Sequence, residues 1–329
     1  MKKITLFKLI AISFLILSIA SCKKDNNTNT DPNPTPVIKP DTLSAGWTKI
    51  TIKDEAFADI FFQNNLVGYV LGKYLYKTAD GGNTWARSAA SLASSANLAV
   101  TTDGKVFVAG NTNIMYRSTD GGTSFSTINF TYGKVDDILF IDNNTGYAPY
   151  QGGLLQTTDG GITLAPPAGP VTGLNFSGAV YQTAFFINAS TGWIANGTDI
   201  YKSNGNINTW VKSIFSGTTS GAAASLYAVS STLVYVGFND GKIFKSVDGG
   251  LNFSPVAGFT NNVTFLDIHF TDANNGYASY ATKIYKTTDG GTSWQTVVSL
   301  GQGVFSEIHF TDATHGWACT SDGGIIKLN

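Results

Sequence analysis

The stretch Tyr285-Lys286-Thr287-Thr288-Asp289-Gly290-Gly291-Thr292-Ser293-Trp294 occurs, with variations, six times in this chain. It reads Tyr76-Lys77-Thr78-Ala79-Asp80-Gly81-Gly82-Asn83-Thr84-Trp85 near the start and Tyr116-Arg117-Ser118-Thr119-Asp120-Gly121-Gly122-Thr123-Ser124-Phe125 next. A third copy runs from Gln156 through Asp159-Gly160-Gly161 to Leu164, and a degenerate fourth from Tyr201 through Asn204-Gly205 to Trp210. The fifth spans Phe244 to Phe253 around Asp248-Gly249-Gly250. Successive aspartates lie about 40 residues apart where adjacent copies are intact.

That period is the length of one four-stranded propeller blade. A second phrase opens each unit: Asp59-Ile60-Phe61-Phe62 before Gly68-Tyr69, Asp137-Ile138-Leu139-Phe140 before Gly146-Tyr147, and Thr183-Ala184-Phe185-Phe186 before Gly192-Trp193. Asp267-Ile268-His269-Phe270 and Glu307-Ile308-His309-Phe310 are close twins, and weaker versions fill 97–110 and 225–237. Seven opening phrases face only six boxes, and the last unit stops at Asn329 after its third strand. Gly46-Trp47-Thr48-Lys49-Ile50 resembles the strand that follows a box, so it is expected to complete the seventh blade and remove an open sheet edge. The expectation is an all-β, seven-bladed propeller of four-stranded antiparallel blades over 46–329.

Each box reads as a tight turn. Its carboxylate accepts hydrogen bonds from turn N–H groups and the following hydroxyl, the glycines supply positive φ, and the aromatic closes the turn against the sheets. Asp80, Asp120, Asp159, Asn204, Asp248 and Asp289 are therefore assigned a structural part, since they recur once per blade whereas a catalytic group occurs once. The phrase resembles the Asp-box, or BNR, repeat of sialidases and sortilin-type receptors. In its longer form it looks most like propellers of the photosystem II stability and assembly factor type, across roughly 46–329. The resemblance implies an assembly scaffold, the part that photosynthetic members of that family play.

Composition narrows the remaining choices. A net charge of −1 argues against nucleic acid as a partner, and 43% hydrophobic content with 13% charged residues suits a packed, turn-rich fold. Lys2 and Lys3, the apolar run Leu9–Leu17 and Ile19-Ala20-Ser21-Cys22 resemble a lipoprotein signal, with 1–21 removed and Cys22 lipidated. A Lys/Asn/Thr/Pro-rich tether is expected over 22–45. This beginning looks like that of Bacteroidetes-type lipoproteins, and Lys23 after the cysteine favours the outer membrane, on its periplasmic or its outer side. With Cys22 consumed, Cys319 has no disulfide partner and is expected to be a packed strand residue.

Enzyme chemistries find little purchase. Sialidases grip a carboxylate with three arginines, and this chain has only Arg87 and Arg117. Xyloglucan-type glycosidases with these boxes need a second propeller. No phosphate loop follows a βα unit, and no histidine sits in a nucleophile setting. No cofactor is expected. Aligned repeats place Asp59, Asp137, Asp267 and Glu307 together at the channel mouth, beside Asp136, as a candidate rim for a cation or basic peptide. The pairs Asp267/His269 and Glu307/His309 each share one strand face. The preferred reading of these positions is as repeat-consensus residues hydrogen-bonded between neighbouring blades, ahead of a ligand rim or a metal site. The long links 165–170 and 216–224 are expected on that same face. The function expected is a monomeric, membrane-tethered module that binds a protein or glycan. A glycan-acting hydrolase and an accessory subunit of a nutrient-uptake complex are the alternatives.

Overall fold

The inner strands Asp59–Phe62, Ser95–Val100, Leu139–Phe140, Gln182–Asn188, Ala223–Ala228, Leu266–Phe270 and Phe305–Phe310 form a closed cycle of neighbours, the last lying beside the first. The computed structural model describes residues 40–329 except 93–94, 111–112, 136, 151, 176–181 and 259–265. Each inner strand opens one antiparallel blade, giving seven in all. The signal segment, Cys22 and most of the tether lie outside the described residues.

Blade seven closes as the sequence predicts. Trp47–Thr51 pairs antiparallel with Gly324–Leu328, Trp47 opposite Leu328 and Thr51 opposite Gly324. Regular structure begins before the expected end of the tether. Thr42–Leu43 pairs with Val298–Ser299 on the outer edge of blade six, and Asp41 accepts Gly301 N at 2.8 Å while its carboxylate meets Lys49 Nζ at 2.9 Å. Two blades depart from four strands in other ways. Blade three has three ladder strands, with only a bridge from Gln156 to Ala165 where the fourth would lie. Blade five gains Ile214–Phe215, paired in parallel with Asn252–Phe253.

The core is divided, not central. Seven apolar clusters fill the seven interfaces between adjacent blades. In five of these the closing aromatic of one inner strand stacks on the second-strand residue of the preceding blade: Phe62 on Trp317, Phe140 on Phe107, Phe186 on Tyr147, Phe270 on Tyr235 and Phe310 on Tyr277. In the same five blades a glycine at the start of the second strand makes room for this ring: a Cβ on Gly316 would stand 2.0 Å from Phe310. The polar tips of the second-strand aromatics are also used. Trp193 and Trp317 Nε1 and the Tyr235 hydroxyl donate to the box carbonyls of Gly249, Gly81 and Gly290 in the next blade, at 2.9–3.0 Å. Cys319 is wholly buried in the cluster between blades seven and one, as expected of a packed strand residue.

Candidate functional site

Alternation along each inner strand turns its first and third positions toward the axis and buries the second and fourth between blades, a pattern clear in Asp59–Phe62. The first positions, in blade order, are Asp59, Asn97, Asp137, Thr183, Ser225, Asp267 and Glu307. Every one is polar. The third positions are Phe61, Ala99, Leu139, Phe185, Tyr227, His269 and His309.

The acids hold first positions, and Asp59, Asp137 and Asp267 spend oxygens on neighbouring blades. Asp59 Oδ2 accepts Leu98 N at 2.7 Å, and Asp137 Oδ2 accepts Ala184 N at 3.1 Å and the Thr183 hydroxyl at 3.3 Å. Asp267 Oδ2 accepts Ile308 N at 2.9 Å, and Oδ1 accepts the Ser225 hydroxyl at 2.7 Å. Ser225 Oγ in turn accepts Ile268 N at 3.1 Å. A first-position side chain thus repeatedly satisfies the second-position N–H of the following blade. The acids stand out when the repeats are aligned, but Ser225, which does the same task with a hydroxyl, and Thr183, whose hydroxyl donates to Asp137, do not. Burial pushes Asp267 above the usual carboxylate range, against hydrogen bonds from Ile308 N, Ser225 and Glu307. Asp136 lies outside the described residues.

The two histidines meet directly, with ring centroids 5.3 Å apart. The Tyr227 hydroxyl lies 3.3 Å from His269 Nε2, and Phe61 packs on His309 at 4.7 Å. Each ring is half-buried among its neighbours. That desolvation lowers His309 to about 4 and His269 well below its ordinary value, the latter helped by repulsion from His309. Both imidazoles are neutral at neutral pH. Among the described residues no group of three or more His, Cys, Asp or Glu side chains is placed to hold a metal ion.

The boxes sit at the outer turns between third and fourth strands. Asp289 Oδ1 accepts Ser293 N at 2.9 Å and the Thr287 hydroxyl at 2.8 Å, Oδ2 accepts the Ser293 hydroxyl at 2.5 Å, and Thr287 Oγ1 accepts Gly291 N at 2.9 Å. Equivalent bonds surround Asp80, Asp120, Asp159 and Asp248. The Ser293 and Thr84 hydroxyls, then the backbone N–H groups of the same residues, pull Asp289 and Asp80 down to about 2. Blade four is different. Asn204 does not take the carboxylate's place, because Gly205 is in register with Asp289, and Asn206 Oδ1 caps the turn by accepting Asn208 N at 2.9 Å.

The two long links separate. Thr219 and Ser220 of the second bond to Asp240, in the turn between the second and third strands of blade five, on the face expected. The first runs instead along the box turn of blade four: Thr172 N donates to Asn208 O at 2.7 Å, and Ala168 O accepts Asn208 Nδ2 at 2.6 Å. Without the closing aromatic of the third box, this link finds its backbone partners on the neighbouring turn.

Residues 39–133 match the family described as Photosynthesis system II assembly factor YCF48. The solved structure of YCF48 bound to D1 peptide superposes with a TM-score of 0.69 at 20% identity, covering 90% of this chain and 99% of that one. YCF48 from Cyanidioschyzon merolae gives 0.68 at 19% identity, covering 87% and 99%. The WD40 β-propeller domain of Doa1 gives 0.60 at 11%, covering 88% and 97%. No curated protein matches the sequence. At such identities the structural likeness speaks for the fold. The chain is a seven-bladed Asp-box propeller, similar in sequence over residues 39–133 to the YCF48 assembly-factor family and similar in fold to YCF48 over most of its length.

Proposed function

We propose that this protein is a non-enzymatic scaffold that binds a partner protein on one face of its propeller and is held at a cell-envelope membrane by lipid on Cys22. The observation that carries the reading is the occupation of its acidic groups. The box carboxylates are held ionised by their turns, so none is a general acid, and the axial carboxylates bond to the blades beside them. A similar propeller, YCF48, has been solved with a D1 peptide bound, which supports a protein ligand for this fold. The anchor rests on the sequence Ile19-Ala20-Ser21-Cys22, and Lys23 after it favours the outer membrane.

The test uses the full chain in a Gram-negative host with a photo-crosslinker at exposed positions on each propeller face. The wild type should fractionate with membranes, whereas Cys22→Ala should move to the soluble fraction. Crosslinked protein adducts should concentrate on one face. Equal fractionation of the two chains would overturn the anchor, and a lack of protein adducts from either face would overturn the scaffold.

A further inference from the structure

Box glycines do more than shape their own turns, because they seat in a socket on the preceding blade. The first glycine lies under the third-strand cation: a Cβ on Gly121, Gly249 or Gly290 would stand 2.6, 2.7 or 3.1 Å from Nζ of Lys77, Lys202 or Lys245. The second lies on the second-strand aromatic, where a Cβ on Gly82, Gly122 or Gly291 would stand 3.2, 3.6 or 3.6 Å from Trp317, Tyr69 or Tyr235. The N–H groups of Gly81, Gly249 and Gly290 donate to Leu66, Thr232 and Asn274 O at 2.8–2.9 Å. Trp85 and Trp294 Nε1, closing the turn, donate to Gly82 and Gly291 O, both at 3.1 Å.

The seam between blades six and seven has the walls of this socket and no turn in it. Trp47 stands where a box aromatic stands, but Thr42–Leu43 before it pairs with blade six and forms no box. Lys286 Nζ lies 5.5 Å over the Tyr277 ring, as Lys77 and Lys245 Nζ lie 5.4 Å over Tyr69 and Tyr235. The Tyr277 hydroxyl reaches only Ala313 O, at 3.5 Å, whereas that of Tyr235 donates to Gly290 O at 3.0 Å. Thr314, the counterpart of Asn274, receives no glycine N–H. Trp47 is 8% exposed, and among the described residues its Nε1 has no acceptor. Trp47, Tyr277, Lys286, Ala313 and Thr314 together line a depression of about 280 Å³.

Resting on the scaffold reading above, we propose that this socket receives an Asp-Gly-Gly turn of the partner protein, seated as the chain's own boxes are seated in other seams. The carbonyl of its first glycine meets Lys286 Nζ and the Tyr277 hydroxyl, and the N–H of that glycine meets Thr314 O. The carbonyl of its second glycine accepts Trp47 Nε1. A side chain on either glycine would collide with the cation or the ring, so glycine is selected at both positions. The chain's own tether does not supply the turn, since residues 22–45 contain no glycine.

The probe is a cyclised hairpin peptide with the sequence of residues 285–294, titrated into the isotope-labelled chain carrying Cys22→Ala. Its indole N–H resonances are followed by NMR, with Trp47→Phe identifying that of Trp47. The peptide should shift the Trp47 resonance, and the same peptide with Gly290→Ala and Gly291→Ala should not. In the protein, Lys286→Ala should weaken binding about fivefold, the worth of one hydrogen bond. Ala45→Trp, an exposed position on the edge of the depression, should abolish it, with circular dichroism showing both variants folded. The socket is overturned if no shift occurs at Trp47 or if the alanine peptide binds equally well. Dimers of the wild type in sedimentation, lost in Ala45→Trp, would assign the socket to a second copy and overturn the partner. A photo-crosslinker at Ala45 of the full chain in cells separates this from the scaffold reading: partner adducts elsewhere on the propeller but none at Ala45 keep the scaffold and remove the socket from it.

Discussion

Between Tyr227 and Phe61 two imidazoles stand side by side at the axis, and their surroundings decide when they can take a proton. Burial lowers His269 and His309, so the folded chain refuses a proton that the unfolded imidazole accepts near pH 6.5. Their contribution to stability is complete above that pH and is lost as pH falls toward about 4, where His309 titrates in the fold. For His309 the loss by pH 5 is about 2 kcal/mol. Asp267, raised by burial, acts in the opposite sense, stabilising the fold most at acid pH and losing that part as pH rises. Phenylalanine already occupies the same inner-strand position in blades one and four, so His309→Phe should fit. Urea midpoints at pH 7 and pH 5 should differ markedly in the wild type and less in His309→Phe, where His269 remains. Equal shifts would show that the imidazole is not the source.

A single strand, Trp47–Thr51, joins the N-terminal end of the fold to its C-terminal blade. Five backbone pairs hold it, and Trp47 adds an apolar clamp, 8% exposed and edge-on to Tyr277 and Phe310 at 6.2 and 6.3 Å. Every other box aromatic follows a covalent turn, whereas this one must find its blade across the chain's full length. Trp47→Ala should cost about 3 kcal/mol, the low end for a large buried aromatic because the site lies at the rim. It should also expose 40–51 to limited proteolysis under native conditions. Trp294→Ala, inside a continuous hairpin, should be destabilised without new cleavage at the N-terminal strand. Cleavage that does not increase in Trp47→Ala would mean that backbone pairing alone secures the closure.

At the scale of the ring, the core is seven interfaces in series, and its stability is shared around a closed cycle. Cys319 reports on one of them. It is wholly buried between blades seven and one, and burial, then the nearby Asp59 and Glu307, push its thiol well above the ordinary range. In a Cys22→Ala chain a thiol reagent should label Cys319 only as fast as that interface opens. Trp47→Ala should accelerate labelling several-fold. Rapid labelling of the native wild type would contradict a sealed seventh blade.

Blade count, the outer turns and the closing strand were legible in the sequence because each depends on local chemistry repeated at a fixed period. Asp289 finds its cage within four residues, and Trp47 carries the same alternation as its counterparts. Asn204 shows the limit of such reading: one residue's shift in a degenerate copy puts Gly205 in the carboxylate's place. That the axial acids clasp the neighbouring blade is visible only in the tertiary structure, since Asp59 and Leu98 meet across a blade boundary. Sequence by itself determined the repeat and therefore the ring. Contacts between repeats, made by residues about 40 positions apart, decided which polar groups are spent on the fold.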